Sequence, residues 1–184
     1  MSVKYILKPA LTLFITAAIT IAALSVVHSL TLVPIERQKQ KTQEAAMREV
    51  LPEAAEYREI PVKKTGSITA VYEALNGGTR SGFVVLLSPK GYSGRIDLIA
   101  GISVPAEKIT GIRVLRHSET PGLGALAVKG DFYRRYDGRE LVPLTVVRTS
   151  PGKNEIQAIT SATITTRAIT NAVNEAIEWY RSIK

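Results

Sequence analysis

Five hydroxyl side chains crowd one short stretch of this chain: Thr160, Ser161, Thr163, Thr165 and Thr166. The run Glu155 to Ile159 ahead of them reads as a strand. The residues after them have helical spacing: Ala168, Ala172, Ala176 and Tyr180 form one apolar row, and Ile169, Val173 and Ile177 form the next. A hydroxyl-rich turn therefore opens a helix, predicted over Thr166 to Ile183. A helix start offers unpaired backbone N–H groups and the positive end of the macrodipole. That is chemistry for holding an anion, phosphate above all. The same residues also suit structural work, since a Ser or Thr cap is worth about 1 kcal/mol. Thr160 and Ser161 can donate to an anion or brace the turn locally. A free threonine hydroxyl is a weak nucleophile, and no histidine or carboxylate lies close to Thr163 in sequence to activate it.

Other chemistries are excluded by composition. There is no cysteine, hence no disulfide, no thiolate nucleophile and no Cys-ligated metal centre. The histidines, His28 and His117, stand far apart, and no acidic cluster has ligand spacing, so no metal site is predicted. No Gly-x-Ser-x-Gly elbow is present. The formal charge of +8 over 184 residues is scattered. Arg37 with Lys39 and Lys41, Lys63-Lys64 and Arg134-Arg135 are short clusters interleaved with acids, without the aromatic platform that nucleic-acid binding uses.

The elements that must position this turn follow from patterning. From Pro9 to Ile35 there is no Asp, Glu, Lys or Arg. As a helix that stretch reaches about 40 Å, against a hydrocarbon core of roughly 30 Å, and it is too long for the apolar region of a signal peptide. Lys4 and Lys8 precede it; Arg37, Lys39, Lys41 and Arg48 follow it, so charge leaves its orientation open. His28 lies near the far end of the span, at the interface or against a partner helix. Glu36 to Leu51 reads as a polar helix continuing from the membrane, ended by Pro52. Beyond it, strands are predicted over Ile68–Leu75, Gly82–Leu87, Arg95–Ile102, Ile109–Leu115, Leu141–Val147 and Glu155–Ile159, with a hairpin at Asn76-Gly77-Gly78 and a short helix over Asp131–Tyr136. Strands in runs, without βαβ alternation, indicate an α+β domain on antiparallel sheet. Trp179 and Tyr180, on the last helix, are expected to pack on that sheet.

Three motifs in order carry a resemblance. Thr160-Ser161-Ala162-Thr163-Ile164-Thr165 resembles the flavinylation motif of FMN-binding domains, Asp-x-x-Ser/Thr-Gly-Ala-Thr, with the family's Asp falling on Gln157 and its Gly on Ser161. Glu119-Thr120-Pro121-Gly122-Leu123-Gly124 resembles the Glu-Thr-Pro-Gly-Leu-Gly loop of the same domain. Gly91-Tyr92-Ser93-Gly94 resembles its Gly-Tyr-x-Gly strand entry. Behind one N-terminal anchor, the set is similar to the family of G subunits of Rnf/Rsx ion-translocating electron-transport complexes.

The resemblance implies an antiparallel-sheet FMN-binding domain with a C-terminal helix, behind one transmembrane helix. With the composition, this gives residues 1–35 as anchor, 36–55 as stalk or linker and 56–184 as the expected FMN-binding domain. FMN would be bound covalently, as a phosphoester on Thr163, placed there by a separate flavin transferase that uses FAD and a metal. Thr160, Ser161, Ala162, Glu119, Thr120 and Leu123 would line the cofactor: Leu123 against the ring, Glu119 near it or bracing the loop. Partners would be other membrane subunits of the complex, with the domain on the extracytoplasmic side. Two alternatives stay open: a tethered flavodomain serving another extracytoplasmic reductase, and a flavin-free anchored binding module.

Overall fold

The computed structural model describes residues 3–63 and 65–184. Lys64 and the side chain of Lys4 lie outside the described part, so the basic start of the chain is followed only at Lys8, and the Lys63-Lys64 cluster only at Lys63.

One helix, α1, runs Val3–Val50 and joins the apolar stretch to the polar segment after it. Among the described residues it is the one helix long and apolar enough to cross a membrane, with mean hydropathy 2.3. Several of its hydroxyls bond back within the helix: Thr12 donates to Lys8 O (3.0 Å), Thr20 to Thr16 O (2.8 Å) and Thr31 to Val27 O (2.8 Å). Polar atoms closed in this way add little cost to an apolar span. The chain divides into two compact units that part between Thr42 and Gln43, so the last turns of α1 belong to the C-terminal unit.

That unit is built on a meander of five antiparallel strands: β1 Glu56–Ile60, β2 Ile68–Asn76, β3 Thr79–Leu87, β4 Asp97–Ser103 and β5 Lys108–Arg116, in the order β1-β2-β3-β4-β5. The β2–β3 hairpin turns through Gly77 (φ 56°) and Gly78 (φ 81°), the two positive angles of a type I′ turn. Alternate side chains of the central strands serve two cores. Phe83, Val85 and Leu87 of β3 and Leu98, Ala100 and Ile102 of β4 face one; Val84 and Ile99 face the other. With both faces covered, β3 and β4 read as continuous apolar runs rather than alternating ones.

Helix α3, Thr163–Ile183, covers the first face through Ile169, Ala172, Val173, Ala176, Ile177 and Tyr180. Phe83 meets Trp179 edge-on at 5.2 Å and Tyr180 at 6.0 Å. The last turns of α1, with Ala46, Met47 and Val50, and the following Leu51 cover the second face against Ala74, Val84 and Ile99.

Three details differ from the sequence expectation. Strand β1 was not expected; its composition is charged and it adopts strand geometry by pairing with β2, Tyr57 opposite Ala74. The strands expected over Leu141–Val147 and Glu155–Ile159 are shorter, β6 Thr145–Val147 and β7 Glu155–Gln157, and pair in parallel in a separate sheet. Pro143 keeps the first from starting earlier. The short helix, α2, spans Gly130–Tyr133 and follows a 3-10 turn over Gly124–Val128.

Candidate functional site

β7 delivers the chain to a turn at 158–162 and then to α3. The first bond of the α3 ladder runs from Thr166 N–H to Ala162 O (3.0 Å). The N–H groups of Thr163, Ile164 and Thr165 therefore precede the ladder, and Ala162, at the N-cap, makes no side-chain capping bond. Ser161 holds φ at 63°, in the left-handed region where glycine is at ease and serine is not.

The hydroxyls separate by role. Thr166 is fully buried; its Oγ1 accepts from Ile159 N–H (3.1 Å) and donates to Ala162 O (3.1 Å). Thr170 donates to Thr166 O (2.9 Å) and shares a hydrogen bond with the Tyr136 phenol (2.8 Å). Burial pushes that phenol well above the ordinary tyrosine range, against the smaller opposing effect of Thr170. Thr165 is buried and donates to Glu119 Oε2 at 2.5 Å. Thr163 is half-buried and its hydroxyl has no hydrogen-bond partner among the described residues. The helix predicted from Thr166 starts three residues earlier, so Thr163 is its first residue rather than part of the turn.

Glu119 joins all three motifs. It is 5% exposed. Its Oε1 accepts from Ser93 N–H (2.9 Å) in the Gly91–Gly94 turn, and its Oε2 takes the Thr165 hydroxyl. The approach is so close that a Cβ on Gly91 would lie 2.5 Å from Oε1, and one on Gly124 would lie 2.3 Å from Oε2. His117 accepts the Glu119 N–H on Nδ1 (3.1 Å), a local brace of the same loop.

The three segments enclose a cleft of about 380 Å³ lined by Tyr92, Glu119, Thr120, Leu123, Gly124 and residues 161–165. That volume is in the range of small-molecule sites. Of the residues expected from sequence, Ser161, Ala162, Thr163, Glu119, Thr120 and Leu123 meet here, while Thr160 is exposed outside the lining. Tyr92 and Ile164 were not named as site residues, although each stands inside one of the three motifs. Around the opening, Tyr92 (71% exposed), Leu123 (42%) and Ile164 (55%) present apolar surface to solvent.

The profile of the FMN-binding domain matches residues 91–178, a span that opens on Gly91 and contains all three motifs. That of the RnfG N-terminal region matches residues 1–50. The G subunit of the Na+-translocating ferredoxin:NAD+ oxidoreductase complex of Acetobacterium woodii is 34% identical over 98% of this chain and 94% of its own. The chain belongs to the RnfG family. A second RnfG relative, the G subunit of the ion-translocating oxidoreductase complex of Methanosarcina acetivorans, is 33% identical over 96% of this chain and 95% of its own. Among solved structures, the C subunit of the Na+-translocating NADH-quinone reductase from Parabacteroides distasonis has a TM-score of 0.60 at 16% identity, covering 81% of this chain and 94% of that one. At that identity the likeness establishes the fold.

The site of this RnfG-family chain fits FMN. Three N–H groups without a side-chain cap and an unpartnered hydroxyl suit the phosphate end. The apolar rim of Tyr92, Leu123 and Ile164 suits a flat ring.

Proposed function

We propose that Thr163 carries FMN through a phosphoester and that the chain passes electrons between redox centres of an Rnf-type ion-translocating complex. The observation that carries this reading is the division of labour among the threonines. Thr165 is engaged by Glu119, and Thr166 by Ile159 and Ala162. Of the threonines of α3 that line the cleft, Thr163 is the one whose hydroxyl has no partner among the described residues.

The attachment balances as a phosphoryl transfer. Thr163 Oγ1 replaces AMP on the flavin-side phosphorus of FAD: the Oγ1–P bond forms, the pyrophosphate P–O bond breaks, and the hydroxyl proton leaves with AMP. A separate metal-dependent flavin transferase, which the family resemblance implies, catalyses it, because a free threonine hydroxyl is a weak nucleophile. Once bound, FMN supplies the electron chemistry. The chain's own residues would hold it: the first N–H groups of α3 and the Ser161 hydroxyl at the phosphate end, and Leu123 and Thr120 beside the ring. Glu119 positions the walls.

In this reading residues 1–35 anchor the protein, 36–55 form a stalk whose last turns complete the domain core, and 56–184 form the flavin domain on the extracytoplasmic side. The partners are the other membrane subunits of the complex. The test is intact mass and in-gel fluorescence of the denatured full-length chain, made in cells with an active transferase, beside Thr163→Ala. We expect a fluorescent wild-type band heavier by one FMN less water, and a dark variant. Two dark bands of unmodified mass overturn the reading.

A further inference from the structure

Arg167 is exposed, and among the described residues it makes no ion pair and no hydrogen bond. Its neighbours three and four residues away along α3 are Thr163, Ile164, Thr170 and Asn171, so no carboxylate stands beside it on the helix. The other cation of α3, Arg181, lies in the last turn, where the negative end of the macrodipole favours it. Arg167, just past the first turn, gains nothing from the dipole.

Its position is explained by what stands above it. Residues four apart share a face and differ by about 6 Å of rise. Helical side chains lean toward the N-terminus, so a long residue covers the turn before its own Cα. Arg167 is outside the lining of the cleft, but from this position its guanidinium has the reach to cover the turn that begins at Thr163. That neighbourhood already holds one negative charge, the buried Glu119 carboxylate bonded to Thr165. A phosphoester on Thr163 would add a second in the same cleft, and like charges sharing a site disfavour each other.

We propose that Arg167 is the counter-charge for the phosphoryl group on Thr163. Its planar fork donates to the non-bridging oxygens, as guanidinium does to phosphate generally, and offsets the repulsion from Glu119. This rests on the reading of Thr163 as the attachment point.

The test compares full-length wild type, R167Q, R167K and, as control, R181Q, each purified in detergent from cells with and without the flavin transferase. Loading should raise the thermal midpoint of the wild type, more at low salt than at about 1 M, where the Debye length falls to about 3 Å. R167Q should lose most of that rise and its salt dependence, and R167K should keep part of both. The phosphorus NMR resonance of the loaded protein should shift in R167Q and not in R181Q. Early-time loading of R167Q at low salt should fall about three- to fivefold, the size of one exposed charge pair. If loaded R167Q shows the wild-type thermal rise and the wild-type phosphorus resonance, the proposal is overturned, even where loading is slow, because a slow reaction alone reports recognition by the transferase. If the wild type gains no flavin mass, the attachment reading itself has failed, and this proposal with it.

Discussion

Both oxygens of Glu119 have protein partners, Ser93 N–H on one side and the Thr165 hydroxyl on the other. From the sequence this residue could touch a ring or brace a loop; the geometry gives it the second task, as a knot between the turn at 91–94, the loop at 117–124 and the start of α3. The knot leaves no room for a methyl group. In Gly124→Ala the new Cβ would lie 2.3 Å from Glu119 Oε2 and 2.7 Å from Thr165 Oγ1. Neither neighbour can retreat, being buried and bonded, so an overpacking cost of about 1–3 kcal/mol is expected. Denaturant titration of the purified protein reads that loss, and flavin occupancy should fall with it. An Ala variant as stable as the wild type would mean that Glu119 is not held as described. Ser161 gives the opposite expectation. At φ 63° it occupies the place of the family's glycine, so Ser161→Gly should relieve backbone strain and stabilise the chain by about 0.5–1 kcal/mol. A drop in melting temperature for Ser161→Gly would show that the serine hydroxyl does more for this turn than its strain costs.

At the scale of elements, the first turns of α3 show why a hydroxyl-rich stretch is helical at all. Thr166 and Thr170 each return a bond to the carbonyl four residues back, at 3.1 and 2.9 Å. Buried threonines are thereby satisfied inside the ladder, and the helix extends back to Thr163. Sequence alone favoured a turn there because Ser and Thr compete with the backbone for hydrogen bonds; the deciding partners, Glu119 and Tyr136, are distant in the chain. Strand β1 was illegible for a related reason: Glu56-Tyr57-Arg58-Glu59-Ile60 has no apolar alternation and is a strand only because β2 is beside it. The three motifs, by contrast, are contiguous, so they could be read directly. The hydroxyl chain ends on Tyr136, whose phenol is raised by burial; Tyr133 is raised by burial too. Unfolded phenols ionise near pH 10, the folded ones later. Above about pH 10 the unfolded state therefore holds fewer protons, and stability present below that pH is lost as pH rises. Tyr136→Phe should cost about 1 kcal/mol near neutrality through the lost bond to Thr170 and make the alkaline decline shallower. Melts between pH 8 and 11 check both; an unchanged alkaline slope would remove Tyr136 from the account.

For the whole molecule, the question is where the folding unit begins. Composition suggests a boundary after the stalk, near residue 56, because Glu36 to Leu51 looks polar, with Ala45, Ala46, Val50 and Leu51 as a sparse apolar side. The structure assigns those turns to the core. Val50 and Leu51 are each 1% exposed and Met47 is 3% exposed, lying over the second face of the sheet. The Tyr57 hydroxyl donates to the Met47 and Leu51 carbonyls at 3.1 and 3.0 Å. Arg113 of β5 reaches Glu49 at 2.7 Å while its guanidinium lies 4.8 Å from the Tyr133 ring centre. Burial of each of the three large side chains is worth about 1.5–3 kcal/mol, and a domain of this kind has about 5–15 kcal/mol in all. A fragment starting at Glu56 loses that layer and bares Ala74, Val84 and Ile99; one starting at Gln43 keeps it. The 43–184 fragment should therefore melt cooperatively and give a dispersed amide spectrum, while 56–184 should aggregate or lack a cooperative transition, although both contain the entire cleft. Equal stability of the two fragments would mean that the second face needs no cover and that the end of α1 is a tether only.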